Sequence, residues 1–375
     1  MKLAGVYGGD SPECDISTIS GVQALNQLDG RFETYPIFVR GGVWYMPKNS
    51  ADMNTYRRFD PSPCDRVELR GDTLCRLRRN KVVKPIAKID CALICMHGGW
   101  GENGSLQGLL EVCGVPYTSP GVAASAIGMD KALSKRYFQS MGCDVLDAIC
   151  VRRGDDALAR IGTFVTEHGF PIIVKPNAQG SSIGIEIAHD MMQLSHAIET
   201  AFAYDDCVLV EHALSDFTEI NCACVATRRG TLVSSLEQPI GWKEFLSFET
   251  KYLTDGKMSG GGRIFPAPLD SDLTQAIQRA SQTVYEGLRM QGVVRFDYLL
   301  DGASGKFYLN EMNTVPGSLA YYLFADKQIG YSELVEIMCR VAIERAGQRP
   351  SPVFRSEVLS KYDPRANCGK MGCKS

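Results

Sequence analysis

Val294-Arg295-Phe296-Asp297-Tyr298-Leu299-Leu300 leads through Asp301-Gly302-Ala303-Ser304-Gly305 into Lys306-Phe307-Tyr308-Leu309-Asn310-Glu311-Met312-Asn313. Two apolar-rich runs joined by a link containing Gly and Asp predict a β-hairpin. Asp297 interrupts the first run and Glu311 the second, with Asn313 two residues further on. Period-two alternation puts Glu311 and Asn313 on one face, and the hairpin can bring Asp297 beside them, with Arg295 on the same face as Asp297. Two carboxylates and an amide oxygen gathered there are hard ligands suited to Mg²⁺, with nucleotide phosphates completing the shell. On an ordinary hairpin such carboxylates are merely solvated. Here Phe296 and Tyr298 flank Asp297 and Met312 follows Glu311, which favours a site.

Outward from this hairpin, 375 residues exceed the usual size of one core, so two or three domains are expected. The 45% apolar and 22% charged shares are those of a globular protein, and a net charge of −3 offers no electrostatic case for nucleic acid or an anionic membrane. No apolar run is long enough to span a bilayer, and the N-terminus leads straight into a Gly-rich turn, so the chain reads as cytosolic. The 14 cysteines then read as reduced residues, many of them in the core, and not as a disulfide framework. Cys91/Cys95 and Cys222/Cys224 lack a matching second half at zinc spacing.

Residues 2–7 form a buried strand that ends in Gly8-Gly9 and a loop through Glu13 to Ser17, followed by a helical pattern at Ile19, Val22, Leu25 and Leu28. Such βα openings turn backbone N–H groups toward a ligand, although G-x-G-x-x-G is absent. Residues 35–85 read as a hairpin-rich extension, and the basic group Arg76 to Lys84 as a solvated face. His97 stands at the end of the next buried strand, where open α/β sheets place ligands, with Glu102 close by. Asp130 is the expected N-cap of a helix led by Lys131. Lys175 ends a buried strand, and Gln179-Gly180-Ser181-Ser182-Ile183-Gly184 is a loop whose N–H groups can lie over phosphates without being a Walker A loop. Strand 207–212 ends in Glu211 and suits an interdomain hinge, and Glu219 lies in the following strand. Residues 239–262, with Lys251-Tyr252, lack periodicity and suit a lid.

In order and spacing these pieces resemble the ATP-grasp enzymes, and among them the D-alanine–D-alanine ligase family. The motifs are Gly8-Gly9 to Ser17, His97-Gly98 to Gly108, Met129-Asp130-Lys131, Val174-Lys175-Pro176, Gly180-Ser181-Ser182-Ile183-Gly184, Lys251-Tyr252, Arg295-Phe296-Asp297 and Asn310 to Gly317. The resemblance covers roughly residues 1–345 and implies an α/β chain, α+β in its C-terminal half, with an N-terminal open parallel sheet. The domains would be 1–125, 126–214 and 215–350, with a lid at 239–262 and a tail at 351–375. It implies that Lys131, Lys175, Ser182 and Lys251 bind ATP phosphates, and that Glu211, Leu214 and Glu219 hold adenine and ribose. Asp297, Glu311 and Asn313 would coordinate two Mg²⁺ ions, Mn²⁺ being an alternative. Glu13 would anchor the first amino acid's ammonium, Arg295 the acyl-phosphate and tetrahedral oxygens, and Glu13, Ser181 and Tyr252 would close the site, with His97, Gly317 and Tyr322 on the substrate side. Small amino acids as substrates, a homodimer and a cytoplasmic role in peptidoglycan precursor synthesis follow from the same likeness.

Two stretches depart from the family. Where a small hydroxyl residue usually meets the acceptor carboxylate, this chain runs Ser318-Leu319-Ala320-Tyr321-Tyr322-Leu323. The hinge reads Glu211-His212-Ala213-Leu214 instead of Glu-Lys-x-Leu. Tyr252 is the residue that dipeptide-forming members carry, so an amine acceptor is expected, and a ligase joining a different acceptor amino acid or peptide is the second enzyme reading.

Overall fold

The structure, a computed structural model, describes residues 1–79, 81–240, 262–348 and 362. Its first sheet is centred on Lys2–Gly8, which pairs in parallel with Glu33–Arg40 on one side and Cys91–Ile94 on the other. Leu3, Val6, Leu93 and Ile94 are all fully buried, as a strand covered on both faces requires. The expected open parallel sheet is parallel only in these three strands. Val43–Met46, Asp65–Arg70, Thr73–Arg78 and Lys81–Lys88 extend it by antiparallel pairing. Parallel neighbours need a long crossover, whereas the Gly41-Gly42 turn, with φ of 58° and 68°, closes a tight hairpin.

The second sheet, with order Glu186–Ala188, Ile172–Pro176, Cys207–His212 and Ala148–Arg152, is antiparallel throughout. Helices Leu158–His168 and Met191–Phe202 supply Ile161, Phe164, Leu194 and Ala197 to its separate core. Ten described cysteines are free, whereas Cys150 and Cys207 are joined by a disulfide across this sheet. That one pair is an exception to the expected reduced cysteines and does not make a disulfide framework. Cys150 lies opposite Leu209, so Cys207 is its diagonal neighbour on the same face.

The third sheet holds the hairpin, in the order Gly230–Val233, Phe217–Thr227, Val293–Asp301 and Phe307–Asn313. Alternation divides its two faces. Ile220, Cys222, Cys224, Val294 and Phe296 point to a core shared with Ile277 and Val284 of helix Ser271–Gly287. Ala223, Val225 and Val293 point the other way, into the core of the first sheet. The last helix, Tyr331–Gly347, adds Leu334, Val335 and Met338 to that same core, so the two ends of the chain share one apolar interior. Beyond Ala223 this second face turns polar. It is the face that carries the hairpin carboxylates.

Candidate active site

The expected hairpin forms, with Asp297 opposite Glu311 and Arg295 opposite Asn313. Asp297 is buried, and Arg295 grips it with both ends of its fork, Nε to Oδ1 and Nη2 to Oδ2, each at 2.7 Å. The Asn313 amide donates to Oδ2 at 2.8 Å. Asn221 stands opposite Asp297 on the other side. With its NH₂ turned toward the acids, it reaches Asp297 Oδ1 at 3.2 Å and Glu219 Oε1 at 3.3 Å. Asn221 is bridged in turn to Glu237 by two backbone hydrogen bonds of 2.8 and 3.0 Å. Glu237, Asn221, Asp297 and Glu311 therefore form one row across the sheet. Among the described residues no three His, Cys, Asp or Glu side chains cluster as a metal site. A metal here would use two carboxylates and the Asn313 amide.

Glu13 reaches this row from the first sheet. Its carboxylate is buried and accepts from Ser181 Oγ of the Gly/Ser loop. Two glycines make its slot: a Cβ on Gly98 would sit 2.5 Å from Glu13 Oε2, and one on Gly180 would sit 2.6 Å from it. Ser181 and Ser182 hold φ of 51° and 58°, a left-handed conformation that costs a non-Gly residue about 1–2 kcal/mol. Such strain accumulates at functional loops. Lys131 Nζ donates to Gln179 O at the start of that loop. Asp130 caps the Lys131–Ser140 helix through Leu133 N at 2.9 Å. Lys131 thus puts a cation on a helix N-terminus, which the helix dipole disfavours and an anionic ligand would favour.

Glu211 and Lys175 are buried, and Lys175 Nζ lies 2.6 Å from Glu211 Oε1 and 3.2 Å from Asn310 Oδ1. Lys135, one turn after Lys131, lies 2.5 Å from Glu211 Oε2. Burial pushes the Glu211 carboxyl up, but Lys135 and Lys175 together hold it below its usual range. The Glu211 side chain thus faces two ammonium groups. Leu214 is half-buried in the loop after the same strand. His97 also differs from expectation: Nδ1 is 2.7 Å from Val315 O and Nε2 is 2.8 Å from Ser20 Oγ. Burial lowers its pKa to about 4, so a neutral ring ties the first sheet to the end of the hairpin where a face toward substrate was expected. Gly317 is exposed, and Lys251 and Tyr252 lie outside the described residues.

The family model described as D-ala D-ala ligase N-terminus matches residues 2–120, and that described as D-ala D-ala ligase C-terminus matches residues 137–340. The chain belongs to the D-alanine–D-alanine ligase family. It is 31% identical to the D-alanine–D-alanine ligase of Thermosipho africanus over 94% of this chain and 96% of that one. To the ligase of Streptomyces avermitilis it is 33% identical, over 92% and 94%. The D-alanine–D-alanine ligase structure from Coxiella burnetii superposes with a TM-score of 0.77 at 22% identity, over 93% of this chain and 97% of that one, a likeness of fold. Both halves of the ligase architecture are thus present.

Sequence reasoning left several groups of this ligase-family site unassigned. Glu102 accepts from Gly98 N and Val315 N at 2.8 Å and from Thr314 Oγ1 at 3.3 Å, pinning the glycine loop to the metal-side strand. It was legible only as an acid near His97. Lys135 carried a signal, the same helix face as Lys131 at i+4, whereas Asn221 and Glu237 carried none, because their neighbours come from other strands.

Burial and the nearby Glu13 raise the Glu102 carboxyl to about 7. A raised carboxyl favours the folded state when protonated. That contribution is full below the ordinary value of 4.5 and is lost as pH rises toward about 7. Thermal melts of wild type and Glu102→Gln at pH 4.5 and 7.5 check this: the wild-type midpoint should fall relative to the variant as pH rises. Parallel curves would refute it.

Proposed function

We propose that the chain joins D-alanine to D-alanine with ATP, through an acyl phosphate, and so supplies a dipeptide for peptidoglycan precursors. One observation carries this reading: in a chain of this family, Glu13, the start of the Gly/Ser loop, Lys131 of the Lys131–Ser140 helix, and Glu311 and Asn313 of the hairpin line one cleft. The relatives favour this reading over one with a different acceptor.

On this reading the donor's ammonium meets Glu13, and its carboxylate points toward the γ-phosphate. Lys131, Lys175, Ser182 and Lys251 spread over the phosphates, where fixed cations stabilise charge on the transferring group. Glu211, Leu214 and Glu219 lie on the nucleoside side. The donor set of Asp297, Glu311 and Asn313 has the hard oxygen chemistry that Mg²⁺ requires. When bound there, Mg²⁺ would offset the negative charge of the triphosphate. Arg295 offers a guanidinium to the tetrahedral oxygens formed when the second amine attacks. Tyr252, with Glu13 and Ser181, closes the site. Holding both amino acids side by side supplies effective molarities on the order of 10⁵ M or more.

The test is the product. Incubation with ATP and D-alanine should give a dipeptide by mass spectrometry, with ADP and phosphate released only when D-alanine is present. Nucleotide turnover indifferent to amino acids would overturn the proposal. The same reading makes the chain a homodimer, which light scattering of the native protein decides. Among the described residues no helix is long and apolar enough to cross a membrane.

A further inference from the structure

Lys135 has no part in the chemistry proposed for the nucleotide, although it is a lysine only 5% exposed. Helix Lys131–Ser140 puts it on the same face as Lys131 and one turn on, because positions i and i+4 are neighbours on a helix. Lys131 lines the cleft and reaches Gln179 O, whereas Lys135 lines a separate hollow with Leu146, Cys150 and Leu209. Its Nζ lies 2.5 Å from Glu211 Oε2 and donates to Leu146 O at 3.2 Å. Lys175, on the strand next to that of Glu211, takes Oε1 at 2.6 Å, so each carboxylate oxygen meets its own ammonium. Burial pulls the Lys135 ammonium below its usual range, and Glu211 and the exposed Asp147 oppose that pull.

Two cations on one buried carboxylate are more than its charge requires, and they are tied differently. Lys135 is anchored on its other side by a backbone carbonyl just before strand Ala148–Arg152. Lys175 has a second contact at 3.2 Å with the Asn310 amide oxygen, and Asn310 lines the cleft on the strand that carries Glu311 and Asn313. Lys175 therefore stands between the interior carboxylate and the cleft, and Lys135 on the interior side. A lysine that turned from Glu211 to a phosphate would leave a carboxylate behind, and stripping a buried charge of its partner is strongly unfavourable. With Lys135 on the other oxygen, Glu211 keeps a partner at 2.5 Å.

Resting on the ligase reading, in which Lys175 meets the ATP phosphates, we infer that Lys135 is a positioning residue that releases Lys175: it holds the Glu211 charge so that Lys175 can turn to the nucleotide. Lys135 itself touches no substrate. Without it, Lys175 is committed to Glu211 and the phosphates lose one cation. Phosphate alone calls on Lys175, so the effect belongs to nucleotides and not to the nucleoside.

Calorimetric binding of ADP and of adenosine to the full chain, each with Mg²⁺ present, tests this. Lys135→Met should weaken ADP binding about 10- to 100-fold, the scale of one hydrogen bond to a charged group, and should leave adenosine binding nearly unchanged. In initial rates the KM of ATP should rise by the same factor while the KM of D-alanine as donor stays in place. Lys135→Arg, which keeps the charge, should restore part of the affinity. Adding Glu211→Gln to Lys135→Met gives the sign that separates the possibilities. With no carboxylate to hold it, Lys175 can turn again, so the ratio of ADP to adenosine affinity should be higher in the double variant than in Lys135→Met. A Lys135 that touched phosphate itself, or that only propped the fold, would give a double variant no better than the single one, and that result would overturn the inference. Equal losses for ADP and adenosine, or a Lys135→Arg variant as impaired as Lys135→Met, would overturn it as well. Wild type that binds ADP but forms no dipeptide from ATP and D-alanine would instead overturn the ligase proposal.

Discussion

Glu311→Gln should lower kcat by at least about 100-fold, the loss seen when one preorganised charge-stabilising group is removed from a reacting centre. Glu311 stands opposite Asp297 on the hairpin, and the neighbouring Asp297 charge is already gripped by Arg295 at 2.7 Å on both oxygens. The proposed Mg²⁺ site therefore depends heavily on Glu311 for charge. The amide is nearly isosteric, so the strand pairing and the Met312 core contact persist, and the thermal midpoint should barely move. A stopped assay for phosphate release, run over a range of Mg²⁺ concentrations, reads the effect. Activity within a few-fold of wild type would show that Glu311 is not at the reacting centre.

Glu211→Gln should cost about 3–5 kcal/mol of stability, the usual result of leaving buried charges without their partner. Lys135 and Lys175 approach its two oxygens at 2.5 and 2.6 Å, and all three side chains are buried. The variant strands both ammonium groups in the same interior. Because the Glu211 carboxyl sits below its ordinary range, burial being outweighed by the two lysines, its contribution is full above that range and is lost as pH falls through its folded value. The gap in thermal midpoint between wild type and variant should thus be widest near neutral pH and narrow in acid. Glu211→Leu combined with Lys135→Met and Lys175→Met should recover much of the midpoint, since apolar residues of similar volume commonly replace buried ion pairs at little cost. A variant that melts like wild type at pH 7 would sink the account.

How far the sequence could be read depended on how local each signal was. The shared face of Glu311 and Asn313 followed from alternation, and the Asp130 cap from residue type three positions before Leu133, whereas the register shift between Asp297 and Tyr298 did not. The Gly/Ser loop was visible as composition. The antiparallel extension of the first sheet was visible as hairpins, but its continuity with the parallel strands was not, because strand pairing is a property of distant segments.

The roles of His97 and Glu211 show where such reading stops. Each was legible as a polar residue ending a buried strand, and each is engaged by groups more than 35 positions away, as the separations of 77 for Ser20 and 36 for Lys175 show. The amino-acid order by itself determined the hairpin, the glycine turns, the buried strands and the family. Tertiary structure alone decided that Asn221 and Glu237 extend the carboxylate row and that Lys135 shares Glu211. It also decided that two glycines from different sheets make the slot for Glu13. Periodicity encodes which face a side chain takes; which charge it meets there is set by packing between segments that no local pattern links.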